Sequence, residues 1–154
     1  ATATAPLPLP PSLRCPSFPP SPPPPPGAMG DFNAVSEAFV NHYYNTFDTN
    51  RAGLASLYQD TSMLTFEGQQ FQGATSIVEK LQSLAFDACK HTVTTRDAQP
   101  VMTGQTMSII VFVSGTIALP NEERPLKFSQ VFHLCQTAQQ SWFVYNDMFR
   151  LNYA

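Results

Sequence analysis

Residues 106–119 read TMSIIVFVSGTIAL. Taken with the two-residue period of a strand, they put Met107, Ile109, Val111, Val113 and Ile117 on one face. The other face carries Ile110 and Phe112 in mid-strand. A strand that is apolar on both sides must be covered on both sides. Helices can supply one cover; the other has to come from a second sheet or a second subunit. In so short a chain this pattern predicts a homodimer.

The neighbouring segments extend the strand into a sheet. Leu119–Pro125 (LPNEERP) holds two prolines and a charge cluster, as a hairpin loop does. Leu126–Thr137 returns with Leu126, Phe128, Phe132 and Leu134 broadly on one face, and Trp142–Tyr153 closes the sheet. Upstream, His91–Gln99 reads as a polar, threonine-rich strand. Before it the period changes. Phe32, Val35, Phe39, Val40, Tyr43 and Phe47 recur at steps of three and four, which predicts an amphipathic helix with Asp31 or Asn33 as cap. Asp48-Thr49-Asn50 breaks it, and a short helix with Leu54, Leu57 and Tyr58 follows. Ser62–Phe66 reads as a strand, Glu67-Gly68 as a turn into Gln70–Gln72, and Ile77, Val78, Leu81 and Leu84 as a third helix after Gly73. Three helices followed by a curved antiparallel sheet is an α+β layout.

Composition divides the 154 residues in two. Twelve of the 15 prolines lie in residues 1–26, beside a single charge, Arg14. Proline has no N–H and a fixed φ, so residues 1–28 are expected to be a disordered arm of polyproline II character. The arm lacks the amphipathic pattern of a transit peptide, and Met29 stands where an initiator would. Its PxxP spacings allow an SH3- or WW-type ligand role. Residues 29–154 are expected to fold. They carry seven basic against 11 acidic residues, which argues against a nucleic-acid surface. No run of 18 apolar residues is present to span a membrane. Cys15, Cys89 and Cys135 form no CxxC pair and suit a reducing compartment.

No GxSxG, HExxH, P-loop or GxGxxG motif occurs. His42, His91 and His133 are spread over a helix and two strands, without metal-ligand spacing. Asp97 and Asp147 fall on predicted strands, where a buried carboxylate with a raised pKa could act as a base, but an ion pair or hydrogen bond is the simpler role. More telling is the closeness of acids to aromatics: Phe66 beside Glu67, Glu122 and Glu123 at the hairpin tip, and Asp147-Met148-Phe149-Arg150 near the end. An apolar recess rimmed by carboxylates suits an aromatic anchor flanked by basic residues.

Four strings, HYYNTFD (42–48), LTFEGQQFQG (64–73), IVEKL (77–81) and NDMFRL (146–151), resemble the nuclear transport factor 2 family in order and nearly in spacing. The resemblance spans about residues 31–153. It implies a cone-shaped α+β fold of the cystatin-like type, with a curved antiparallel sheet wrapped around three N-terminal helices and homodimers paired through the sheet. It implies a nuclear import carrier that works without a cofactor, in cytoplasm and nucleus and at the nuclear pore. The carrier would bind the GDP form of the small GTPase Ran and, weakly, FxFG repeats of nucleoporins. In this family the GTPase inserts an aromatic residue into the cone. The matching positions are Phe66 (often tryptophan in the family), Leu84, Met148 and Phe149, with Glu67 on the rim and Glu122 and Glu123 at the hairpin tip. Phe32 matches the repeat-binding aromatic of the first helix.

Two other readings compete. The same cone hosts small isomerases and dehydratases such as ketosteroid isomerase, which need a pocket carboxylate poised with tyrosine or a protonated acid. Tyr43 and Tyr44 are present, but the sequence places no aspartate with them. A scaffold that works through the proline-rich arm would lose its partners when residues 1–28 are deleted.

Overall fold

The computed structural model describes residues 31–103 and 106–153, so the proline-rich arm lies outside the described residues. Helix α1 (Phe32–Thr49) starts where Asp31 accepts a hydrogen bond from the Ala34 N–H at 3.0 Å. Its apolar stripe buries Val40, Tyr43, Tyr44 and Phe47. A 3-10 helix (Arg51–Leu57) buries Leu54. Then come β1 (Tyr58–Phe66), β2 (Gln69–Gln72), α2 (Ala74–Gln82), β3 (Lys90–Thr103), β4 (Thr106–Ala118), β5 (Leu126–Gln136) and β6 (Trp142–Leu151).

The six strands form one sheet in the order β2-β1-β6-β5-β4-β3. It is not wholly antiparallel, as the sequence suggested: β1 runs parallel to β6, with Phe66 beside Phe149. Period-two alternation is the same for either direction, so a parallel pair formed by strands distant in sequence leaves no local signal. Tyr58 opens a strand instead of closing a helix. Strand β3 runs on through Pro100, which an edge strand tolerates because one side of its backbone needs no partner.

The concave face packs on α1 and α2 through Leu64, Ile109, Val111, Phe128, Phe132, Leu134 and Val144, all inaccessible. Phe132 meets Phe39 and Tyr43 edge-on, with centroids 5.0 and 4.7 Å away. Each such ring contributes about 1.5–3 kcal/mol by burial. Gly115 fixes how closely β3 and β4 approach. A Cβ there would sit 2.2 Å from the Thr92 carbonyl oxygen, next to the register shift between Val93 and Thr95. On the convex face Ile110, Phe112 and Met148 are 41%, 39% and 52% exposed in this single chain. Among the described residues, the doubly apolar strand is covered on its concave side and open on its convex side.

Candidate functional site

The Glu67-Gly68 turn determines the geometry at one end of the concave face. Both residues have positive φ, 49° and 84°, which reverses the chain tightly between β1 and β2. Register then sets Phe66 next to Phe149, and their rings stack 4.7 Å apart with planes 1° from parallel. Phe128 continues the stack at 5.7 Å from Phe149. The Lys80 ammonium lies 5.5 Å from the Phe66 ring centroid and 5.4 Å from that of Phe71. Leu84 is half-buried against the same core. Phe66, Leu84 and Phe149 thus belong to one apolar body.

Met148 does not join them. Adjacent strand residues face opposite ways, so with Phe149 inward Met148 points out of the convex face. There it lines a hollow of about 390 Å3 with Met63, Ile110, Val131 and His133. Glu67, expected on the rim, has its carboxylate tied to the neighbouring strand end. One oxygen accepts a hydrogen bond from the Leu151 N–H, and the other lies 4.0 Å from Arg150. Glu122 and Glu123 are both exposed between β4 and β5. Glu122 lines a groove of about 290 Å3 with Ala85, Asp87, Leu119, Pro120 and Asn121. Asp87 was not singled out in the sequence; its position three residues after Leu84 was the available signal. Phe32 is half-buried in the first turn of α1, packed on the core.

The aspartates separate. Asp97 lies exposed on the edge strand β3, opposite Phe112. Asp147 is 1% exposed, inside the core. Its Oδ2 accepts from Tyr58 at 2.7 Å and Tyr43 at 3.3 Å, and its Oδ1 accepts from Gln130 Nε2 at 2.7 Å. Tyr44 completes the network by donating to Gln130 Oε1 at 2.8 Å. Burial raises the Asp147 pKa to about 6, against the pull of these three donors. Burial, and next the Asp147 charge, push the Tyr43 and Tyr58 hydroxyls well up. The carboxylate–tyrosine combination that the sequence did not reveal is therefore present. Its oxygens are all engaged within the core, so it acts as a polar knot tying α1, β1, β5 and β6 together.

His91 and His133 sit in polar clusters. His133 Nε2 is 2.9 Å from Ser108 Oγ on the convex face. His91 stacks on Tyr44 at 4.9 Å and reaches Asp48 with its Nδ1 at 2.6 Å.

The family model for the nuclear transport factor 2 domain matches residues 35–151. Nuclear transport factor 2B of Arabidopsis thaliana is 61% identical over 124 residues, which are 80% of this chain and 97% of that protein. Nuclear transport factor 2 of Oryza sativa is 57% identical over 80% of this chain and 98% of its own length. The solved structure of nuclear transport factor 2 from Cryptosporidium parvum superposes with a TM-score of 0.71 at 44% identity, covering 79% of this chain and 94% of that one.

Proposed function

The chain belongs to the nuclear transport factor 2 family and has the role of a nuclear import carrier; from this we propose that its cargo is the GDP form of the small GTPase Ran. The observation that carries the reading is the Phe66–Phe149 stack with Glu67 at its edge. An aromatic side chain of the GTPase packs on the outer edge of this stack, whose rings are only 8% and 5% exposed, beside the half-buried Leu84. Basic residues around it meet Glu67, Glu122 and Glu123, with Asp87, which shares a groove with Glu122, as a further acid. The aromatic contact supplies affinity, and the charges supply orientation and encounter rate. Selectivity for GDP follows if the contacted segment changes shape with the γ-phosphate, so that nucleotide exchange releases the cargo.

FxFG repeats bind at the exposed edge of Phe32, weakly, because a carrier that moves between many sites needs fast dissociation. Two copies pair through the convex faces, where Ile110, Phe112 and Met148 would be covered. Met148 accordingly serves the dimer instead of the cargo recess. The protein moves between cytoplasm and nucleus through the pore and needs no catalytic group. Asp147 and its tyrosines favour the enzymic alternative in composition only, since the carboxylate is 1% exposed and both its oxygens already accept hydrogen bonds in the core. A pull-down from cell extract tests the reading: Ran should be retained with GDP added and lost with a GTP analogue. Turnover of a steroid or polyketide-like substrate that vanished in Asp147→Asn would replace the carrier with an enzyme.

A further inference from the structure

Where α1 ends and β3 begins, three side chains of different chemistry converge. One ligand atom from each of Asp48, Cys89 and His91 lies within 4.8 Å of the other two. The thiol donates to Asp48 Oδ1 at 3.3 Å, and the imidazole reaches the same oxygen at 2.6 Å. Facing a carboxylate, Nδ1 carries the proton. Two protons thus point at one oxygen, from the two donors that a divalent ion would draw on. Cys89 and His91 are two residues apart and share a side. A Phe86–Cys89 turn, with Ala88 at φ 51°, directs the thiol inward.

We propose that Asp48, Cys89 and His91 form a binding site for a zinc-like divalent cation. Sulfur, imidazole nitrogen and carboxylate oxygen are the donors zinc selects. At bond lengths of about 2.0–2.3 Å, tetrahedral donors sit roughly 3.3–3.6 Å apart. The Sγ–Oδ1 separation already fits, and the Nδ1–Oδ1 pair need open by less than about 1 Å. The second carboxylate oxygen is held by the His91 backbone N–H at 2.8 Å, which fixes the ligand's direction. His91 is clamped between Tyr44, Phe47 and Phe128. Beside the cluster a groove lined by Asn45, Asp48, Lys90 and His91 opens to solvent, leaving room for water as fourth ligand.

Proton and charge balance are simple. On binding, the thiol releases one proton to solvent, and the imidazole moves its single proton from Nδ1 to Nε2. Thiolate and carboxylate together neutralise the ion. The guanidinium of Arg51, 3.9 Å from Sγ, therefore faces a neutral centre while remaining bound to the Leu81, Leu84 and Phe86 carbonyls. Because binding displaces the thiol proton, it should weaken as pH falls.

The test is a Co2+ titration of the metal-free full chain, followed by displacement with Zn2+. A Cys15→Ser/Cys135→Ser variant leaves Cys89 as the sole thiol. It should show a thiolate-to-cobalt charge-transfer band at one ion per chain, bleached by Zn2+. Cys89→Ser in the wild-type background should lose the band and bind the ion about 100-fold more weakly or worse. Asp48→Asn, which keeps the side chain's shape and leaves the thiol, should keep the band but need about 100-fold more Co2+ to develop it, and serves if Cys89→Ser unfolds; an unchanged titration in Asp48→Asn overturns the site. Absence of the band from the sole-thiol chain overturns the site. So does a band that survives in Cys89→Ser, which would point to Cys135 beside His133.

Discussion

The Phe66 and Phe149 rings lie parallel with centroids 4.7 Å apart on the concave face, while Met148, one residue earlier in β6, is 52% exposed on the convex face. Neighbouring residues of one strand are thereby assigned to two different contacts. Phe149→Ala should weaken Ran-GDP binding by about 2 kcal/mol or more, roughly 30-fold, with the dimer intact. Met148→Glu should instead give a monomer of about 17 kDa. Light scattering beside calorimetry separates them; a Met148→Glu protein that stays dimeric would remove the convex face from the interface.

Asp147 makes stability depend on pH in a definite direction. Its native pKa, about 6 because of burial, lies above the ordinary carboxylate value. The native state therefore holds a proton that the unfolded chain has released. This contribution is complete below about pH 4 and is lost as pH rises through about 6, on the order of 3 kcal/mol for a two-unit shift. Asp48 acts in the opposite sense. Burial raises its pKa, but the His91 side chain and backbone N–H outweigh it and leave the group lowered. Its stabilisation is present above about pH 4 and is lost as pH falls through the lowered value. Urea titrations from pH 4 to 7 should show Asp147→Asn flattening the slope of wild-type stability. Parallel curves for the two proteins would mean that Asp147 does not change its proton in this range.

Much of this was legible in the sequence because it rests on local periodicity. The stripe Val35–Phe47 gave α1, and the two-sided strand 106–119 gave β4 together with its uncovered face. What was missed depends on pairing between distant segments. The parallel β1–β6 contact puts Tyr58 and Asp147 in one core, 2.7 Å apart across 89 residues. The same pairing makes Met148 an outward residue, which the string NDMFRL does not show. Asp48, Cys89 and His91 likewise converge across a 41-residue separation, which no spacing motif announces.

Glu67 and Glu122 should behave differently when their charge is reversed. Glu67→Lys removes the acceptor of the Leu151 N–H and puts a second cation beside Arg150, so it should lower stability as well as binding. The binding loss is expected at about 2–5 kcal/mol. Glu122→Lys, on an exposed loop, should leave the melting temperature unchanged and slow association in a salt-dependent way. Stopped-flow association at low and high salt checks this; a rate unaffected by Glu122→Lys would take the hairpin tip out of the contact.

Gly115 offers a test of the sheet itself. An alanine Cβ would meet the Thr92 carbonyl at 2.2 Å, so β3 and β4 must part. Gly115→Ala should cost about 1–3 kcal/mol, measured by denaturant unfolding. An unchanged midpoint would mean that the close approach at the β3 register shift is not maintained in solution.

The carrier reading stands most directly on nucleotide-dependent binding, measured by calorimetric titration of the purified chain with Ran loaded with GDP or with a non-hydrolysable GTP analogue. Saturable binding to the GDP form, abolished by the analogue and strongly weakened in Phe149→Ala, is the expected result. Equal affinity for both nucleotide forms, or full affinity in Phe149→Ala, would contradict the account.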